Sequence, residues 1–586
     1  MINFWSFATK LTNDSQRINE GKNMTLKTSD LKENFDYFVS KPDVVLREEK
    51  TGAGKVNHLL LGDWLRYLGE SHVHKRTTSG GTIKSATYVH VRCRGDEGWL
   101  KIDEFGEERA LEVNFVDIGQ GDGCHIVTPD DKIILIDAGI SDNMIRFLSW
   151  RYNLRKRNVK RAEDFDPSKK VQAPWPIDYV VISHPDEDHY GGFAPIFSNP
   201  KLKFSKVFHN GIVERPKEKA VAGVKFPDDL GGVFEAGDKK FLFDLVTDAD
   251  DLKKLVDAHP TTRKRLISTL RKLFENSPNA KVKAVGVEMD NLGAEVYLES
   301  FGKSKSFSLQ ILGPIRERKK FKTKHRETVR LLGSEGVTKN GHSVIFKARF
   351  GKLNLLLGGD LNSQAQNFLL QSYAGTKDTP EKLEKEIAKL HNKKQPLKPA
   401  DQTRLGELEK ELAKTEKAGK DQFESDVAKA CHHGSQHIID GFVRSVNAVA
   451  TVISSGDNEQ HSHPRPDALG AYGKLGRGKR PLIFSTELAR STNEFTPQLK
   501  NYLALRGITL QIEAETDAKK KAALLKTLED KRDRNVAVYG MITLRALEDK
   551  VIIAQKLEVP RSASQKWDIY ELEYDEAKEQ FAYHGH

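Results

Sequence analysis

Ser183-His184-Pro185-Asp186-Glu187-Asp188-His189-Tyr190-Gly191-Gly192 follows directly on the apolar run Ile177-Asp178-Tyr179-Val180-Val181-Ile182. The run is short, β-branched and bounded by turn residues, so it reads as a buried strand. Four potential metal ligands, His184, Asp186, Asp188 and His189, then stand within six residues. A loop leaving a strand and entering a helix can turn several such side chains toward one point. Imidazole and carboxylate are suitable donors for Zn²⁺, Mn²⁺ or related divalent ions. The competing reading is a solvated acidic turn, and the position after a buried strand argues against it.

Around this stretch, strands alternate with helical segments, which predicts an α/β layer structure. LEVNFVDIG, GCHIVTP and KIILIDAG precede it as strands, and a helix is expected from Asp142 to about Trp150. The pattern resumes with SLQILGP, SVIFKARF, KLNLLLGGD, the helix NSQAQNFLLQS, and the strands SDVAKACHHG and AVATVISSG. Residues 491–586 read as a completion carrying a β-hairpin over 535–558. Two helical insertions interrupt the order, at about 240–300 and 378–420. In the second, Leu383, Ile387 and Leu390, then Leu405, Leu408 and Leu412, recur at helical spacing on either side of QPLKP. That predicts a helical hairpin whose leucines pack on one another or on the domain, or else dock a protein partner.

Residues 1–41 are polar and without period, an N-terminal arm. From 42 to 108, short strands punctuated by glycine suggest a small all-β module. Leu61-Gly62-Asp63 followed by Gly98-Trp99-Leu100 resembles a small SH3-like barrel. It is a second surface on which a partner could dock.

The ligand-rich loop resembles the metallo-β-lactamase superfamily, whose usual pattern is His-x-His-x-Asp-His. Asp186 replaces the second histidine here, as it does in the hydrolase domain of ComEC-type DNA-uptake channels and their stand-alone relatives. Other elements follow that branch in order: Val116-Asp117-Ile118-Gly119-Gln120-Gly121-Asp122, Leu135-Ile136-Asp137-Ala138-Gly139, Leu357-Gly358-Gly359-Asp360, Cys431-His432-His433-Gly434-Ser435 and His463-Pro464-Arg465-Pro466. The resemblance spans about residues 109–490 and implies an αββα sandwich with helical insertions.

It also implies roles. His184 and Asp186, helped by His432, would hold one divalent ion, and Asp188 and His189 a second, with Asp360 shared between them. Asp186 in place of histidine adds a hard anionic donor, so Mn²⁺ is expected beside Zn²⁺. Asp137 and Asp117 would orient ligands by hydrogen bonds. His463 would be either a ligand of the second ion or a proton donor beside the leaving oxygen, with His433 as the other candidate donor, and Asp188 would guide the proton of the attacking water. Adjacent residues of an extended segment point apart, so His433 is placed less firmly than His432. The implied activity is phosphodiester hydrolysis of nucleic acid, DNA before RNA. Alternatives are hydrolysis of a small ester, amide or cyclic nucleotide, and a partner-activated effector in a bacterial anti-phage system.

Substrate contacts are expected from Ser435, from His209 at the end of the strand KFSKVF, and from a basic loop carrying Arg318, Lys319 and Lys320. His342 is a further histidine with a possible approach to the ions. Composition fits this picture. The 586 residues carry a net charge of +11, which suits a polyanionic partner or merely a solvated surface. At roughly 150 residues per domain the length suggests about four units. The three cysteines form no CxxC pair, which argues against a disulfide framework and a thiolate zinc site. No stretch approaches the roughly 18 apolar residues of a spanning helix, and the N-terminus lacks a secretory pattern. A cytoplasmic chain with no membrane partner is expected.

Overall fold

In the strand Ile133–Ile136, Ile134 and Ile136 enter one hydrophobic core, while Ile133 and Leu135 enter another. Successive side chains of a strand point to opposite faces, so a continuously apolar strand must be covered on both sides. The computed structural model describes residues 26–585 except 34, 78, 80–81, 161–164, 220–222, 228, 263, 394–395, 457–461, 487–505, 537–540 and 558–559. Most of the expected N-terminal arm therefore lies outside the described residues. The chain forms two compact units, Met1–Glu108 and Arg109–His586.

The first unit is a five-stranded sheet in the order Asp96–Lys101, Ile83–Cys93, Trp64–Thr77, Asp36–Val39, Phe105–Gly106. A hairpin, Asp43–Leu46 with Asn57–Leu60, touches the first of these through a bridge between Arg47 and Trp99. Among the described residues no closed barrel forms, which corrects the SH3-like expectation. Phe105–Gly106 is only two residues long and pairs with Asp36–Val39 alone, so the sheet stays open at that edge. The strand Asp36–Val39 lies inside the stretch read as an arm. Tyr37, Leu46, Leu65, Val89 and Leu100 form the core of this unit.

The second unit contains two large sheets. One has ten strands, and from one edge it runs Lys281–Ala284, Leu202–His209, Trp175–Ile182, Ile133–Ile136, Cys124–Val127, Leu111–Phe115, Ile542–Ala546, Val551–Lys556, Trp567–Asp575, Gln580–Ala582. The other has seven: Val296–Tyr297, Phe307–Gly313, Ile345–Phe350, Leu353–Leu357, Val427–Lys429, Ala450–Ile453, Leu482–Ser485. Their facing residues, among them Val113, Ile134, Val181, Leu309, Phe346 and Val452, share one core. Helices cover the outer face of the ten-stranded sheet, including Asn143–Arg151, Ala249–Ala258 and Arg265–Asn276. Ser363–Ala374, Asp440–Val446 and Pro466–Leu475 lie against the other sheet. The layering is helix, sheet, sheet, helix.

Stretch 240–300 does more than interrupt the order. Leu252, Val256, Leu266, Ile267, Leu270 and Leu273 bury its two helices, and Lys281–Ala284 adds a parallel strand beside Leu202–His209. Stretch 378–420 forms the helices Pro380–His391 and Pro399–Phe423, whose Leu383, Leu390 and Leu408 make a cluster of their own. The C-terminal hairpin is Ile542–Ala546 with Val551–Lys556, and its first strand pairs with Leu111–Phe115. The expected basic loop is instead an antiparallel hairpin, Ile315–Phe321 with Lys324–Arg330. Among the described residues no helix is long and apolar enough to cross a membrane.

Candidate metal centre

In each large sheet a run of parallel strands brings its carboxyl ends to the same place. From the ten-stranded sheet, Ile133–Ile136 leads to Asp137 and Trp175–Ile182 leads to His184. From the other, Leu353–Leu357 leads to Asp360, Val427–Lys429 to His432 and His433, and Ala450–Ile453 to Ser454. Strand ends of open α/β sheets are the usual place for ligands, because loops there converge without disturbing the core.

Three histidines are each held through Nδ1. His189 Nδ1–H donates to Asp137 Oδ2 at 2.8 Å, and Asp137 Oδ1 accepts the backbone N–H of Ser183 at 2.8 Å. His433 Nδ1–H donates to the Ser454 carbonyl at 3.1 Å. His184 Nδ1 lies 3.0 Å from Ser183 Oγ and 3.3 Å from Ser343 Oγ. Holding Nδ1 fixes each ring and leaves Nε2 as the donor atom, the usual arrangement around a bound metal.

Those Nε2 atoms converge on acid groups. His189 Nε2 is 3.2 Å from Asp360 Oδ2, and His433 Nε2 is 3.0 Å from the same oxygen. Asp188 closes the group, 4.0 Å from His189 Nε2 and 3.7 Å from His433 Nε2. His189 Nε2, His433 Nε2, Asp360 Oδ1 and Asp122 Oδ1 are buried without a hydrogen-bond partner of good geometry. Buried polar atoms are nearly always satisfied. Donor atoms gathered this closely yet not bonded to one another suit a shared cation. Among the described residues, His184, His189 and Asp360 place one ligand atom each within 4.8 Å of one another, as do Asp188, His189 and His433. Asp122 joins Asp360 and His433 in a third such group, and Asp137 and His189 in a fourth. The donor set of imidazole and carboxylate fits divalent ions.

The electrostatics agree with a cation site. Burial would lower the imidazoles, but Asp360 and Asp137 raise His189 well above its ordinary value. His433 likewise reaches about 10 despite its burial, because Asp360 and Asp122 face it. Burial would raise Asp360, yet His189 and His433 hold it well below the usual carboxylate range. These side chains favour positive charge between the carboxylates.

Residues 124–204 match the family model of the metallo-beta-lactamase superfamily. That stretch carries His184, Asp186, Asp188 and His189, so the match falls on the loop that supplies donor atoms to the site. No curated protein matches the chain.

Within this site, the structure distributes the expected residues unevenly. It brings His184, Asp188, His189, Asp360 and His433 together, with Asp137 orienting His189. Asp186 and His432 lie at the margin and belong to none of the four groups. Asp186 Oδ2 is 3.5 Å from His184 Nε2, while Asp186 Oδ1 meets Lys339 Nζ at 2.5 Å. Burial would raise its carboxyl, but His184 and Lys339 hold it far below the usual range. The Asn340 amide stands between Asp186 and His432. His432 and His433 both occupy the left-handed region, with φ of 49° and 53°. The segment is thus a tight turn and not the end of an extended strand, so the argument that placed His432 ahead of His433 does not apply. Burial lowers His432 to about 4.

His463 stands with its ring 5.9 Å from His432 and 6.1 Å from His433. Asp117 Oδ1 accepts the Gly119 N–H at 3.2 Å, which shapes the neighbouring turn. Ser435 Oγ accepts the His437 N–H at 3.1 Å. His209 is buried at its strand end, its Nδ1 accepts the Gly211 N–H, and burial followed by Arg316 lowers it to about 3. His342 does not face the centre: its Nε2 donates to the Arg330 carbonyl at 2.7 Å. Its neighbour Ser343 faces inward instead, with Oγ near His184 and accepting the Asp360 N–H at 3.0 Å.

Two participants went unassigned in the sequence. Asp122 ends the motif Val116–Asp122, whose letters alone assign it no role. Lys429 is 95% buried, and its ammonium pairs with Asp122 while donating to the Gly359 carbonyl at 3.1 Å. A lysine inside the otherwise uncharged run Val427-Ala428-Lys429-Ala430 was the available signal. Gly121 explains why this turn needs glycine: its φ is +102°, and a Cβ would stand 1.7 Å from the Asp188 carbonyl oxygen. The Asp122 N–H donates to that same carbonyl at 3.3 Å.

Proposed function

We propose that the second unit is a dinuclear-metal phosphodiesterase that hydrolyses nucleic acid, DNA in preference to RNA. The observation that carries the hydrolase part is the convergence of His189 Nε2 and His433 Nε2 on one oxygen of Asp360. A pair of divalent ions in such a site supplies an activated water and Lewis acidity toward a phosphoryl oxygen. Asp360 would be shared between them, with His184, Asp186, His432, Asp188, His189 and His433 as surrounding donors. Asp137 keeps His189 in the required tautomer. Asp188, partly exposed at the rim, is the chain's own acceptor for a proton, and His463 is the candidate to protonate the leaving oxygen.

The nucleic-acid part is supported by the charge around the site. The basic hairpin Ile315–Phe321/Lys324–Arg330 runs on into the helix Glu335–Gly341, which brings Lys339 to Asp186. Exposed Arg318 and Lys320 and half-buried Lys319 lie on that hairpin, where they would meet phosphates.

The test is incubation of the full chain, loaded with Zn²⁺ or Mn²⁺, with labelled linear, circular, single-stranded and duplex DNA and RNA. Cleavage that disappears in an Asp188→Ala/His189→Ala variant is expected. Cleavage that survives those changes would defeat the site, and no cleavage with any metal would defeat the activity.

A further inference from the structure

The basic hairpin belongs to a small sheet with an aromatic face. Its strands include Val233–Ala236, Lys239–Leu242, Lys324–Arg330 and Ile315–Phe321. Residues directly opposite across antiparallel strands share a face, as do residues two apart along one strand. Phe234 pairs with Phe241, Phe241 with Arg330, Lys319 with Arg326, and Phe321 with Lys324. One face therefore carries Phe234, Phe241, Lys319, Phe321, Lys324 and Arg326.

The rings are layered. Phe234 and Phe241 are buried beneath. Above them Phe243 and Phe321 are only partly covered and stack on one another, with centroids 5.1 Å apart and planes at 21°. Cations sit over this stack: Lys319 Nζ is 5.2 Å from the Phe241 centroid, Lys322 Nζ 5.4 Å from Phe321, and the Arg326 guanidinium 5.1 Å from Phe243. Lys322, Lys324 and Arg326 form no ion pair among the described residues. Glu317, which shares this face, is engaged by Arg330 and Lys319.

Half-open aromatic rings interleaved with unneutralised cations match a strand of nucleic acid, which alternates flat bases with phosphates. A duplex hides its base faces, whereas a single strand offers them for stacking. Building on the nucleic-acid reading, we propose that the Phe243–Phe321 stack and its surrounding Lys322, Lys324 and Arg326 form a binding platform for single-stranded nucleic acid. Bases take the ring faces now covered by Lys322 and Arg326, whose charged ends turn to the phosphates. The platform selects strand state and not sequence, since every base has a π-face.

Binding is measured with the full chain in EDTA, so that cleavage plays no part. The probes are fluorescein-labelled oligo-dT and oligo-rU of about twenty nucleotides and a DNA duplex of equal length. The single strands are expected to bind more tightly than the duplex. Phe321→Ala should weaken them by about tenfold, on the scale of one lost base stack. Lys324→Glu/Arg326→Glu should weaken them further and flatten the salt dependence by more than about one unit of logarithmic slope. Melting curves check that each variant is folded, and Phe321→Tyr, which keeps a ring, should restore most of the binding if Phe321→Ala proves unstable. Unchanged affinity in folded Phe321→Ala, or duplex binding as tight as single-strand binding, would overturn the platform. The hydrolase reading is judged separately, by metal-dependent cleavage of bis(p-nitrophenyl) phosphate by the unaltered protein. Either conclusion can fail while the other stands.

Discussion

Asp137 and His189, fifty-two residues apart, meet through a hydrogen bond of 2.8 Å that fixes the imidazole with Nε2 toward Asp360. Asp137→Asn keeps the shape but lets the amide present either a donor or an acceptor, so the tautomer is no longer imposed. Partners of this kind contribute about 10–100-fold to metal affinity. Zinc affinity measured by chelator competition should fall within that range, while far-UV circular dichroism stays unchanged. Full zinc affinity in the variant would show that His189 is oriented by other contacts.

Lys429 gives a second prediction. Its ammonium neutralises the Asp122 carboxylate and stands 3.7 Å from Asp360 Oδ1, all inside the protein. Burial alone would lower its pKa, but Asp122 and Asp360 raise it, so the lysine is charged. Removing one partner of a buried charge cluster leaves the others uncompensated, at a cost of about 3–5 kcal/mol. Lys429→Met should therefore melt well below the parent chain in EDTA. Divalent ions bring positive charge to the same carboxylates, so Zn²⁺ should raise the variant's melting temperature more than the parent's. Equal shifts would mean that Lys429 and the ions do not serve the same acids.

The parts legible in the sequence are those that local chain geometry encodes. His184 to His189 stand contiguously because a loop at one strand end supplies them together, and the buried strands announce themselves by unbroken runs such as Ile133–Ile136. What stayed hidden depends on backbone detail or on distant pairing. Two consecutive left-handed residues turn His433 onto Asp360, and nothing in the letters CHHGS reports a φ. Arg316 and Glu317 open the same charged run as Arg318, Lys319 and Lys320, yet both are buried where the hairpin meets the rest of the sheet. The first unit's glycine spacing resembles a barrel, but closure needs its outermost strands to pair, and that information is not local. Lys429 escaped because one charge in a strand is ordinarily read as the strand's exposed position.

Lys347 offers a test by pH. It lies on the strand Ile345–Phe350, donates to the Gln422 carbonyl at 2.9 Å, and is lowered to about 8 by burial, with Arg349 adding to the effect. In the unfolded chain it titrates near 10.4. Between those values the unfolded chain binds a proton that the folded chain does not, so the lysine's contribution to stability rises with pH across about 8 to 10.4. Below pH 8 its charge weighs fully against folding. The stability of Lys347→Met relative to the parent should accordingly be greatest near pH 7 and decline by on the order of 2 kcal/mol toward pH 10. Chemical denaturation of both proteins at the two pH values measures the difference. A constant difference would place the lysine's charge in solvent.

The helical hairpin was open to two readings, internal packing or partner docking, and Leu408 separates them. It is 1% exposed and clusters with Leu383 and Leu390, while Ile387, Leu405 and Leu412 pack against the same cluster. Leucines that pack on one another across two helices hold the hairpin together. Leu408→Ala removes buried carbons from a site held between two rigid helices, and such truncations cost about 2–5 kcal/mol. Arg404→Ala, one turn earlier with a half-exposed side chain, should change stability by less than about 0.5 kcal/mol. Hydrogen exchange over residues 380–423 provides the local readout: amides of both helices should exchange faster in Leu408→Ala and at the parent rate in Arg404→Ala. If Leu408→Ala left exchange and stability unchanged, the leucine cluster would not hold the hairpin together. Its apolar stripe would then be available for docking.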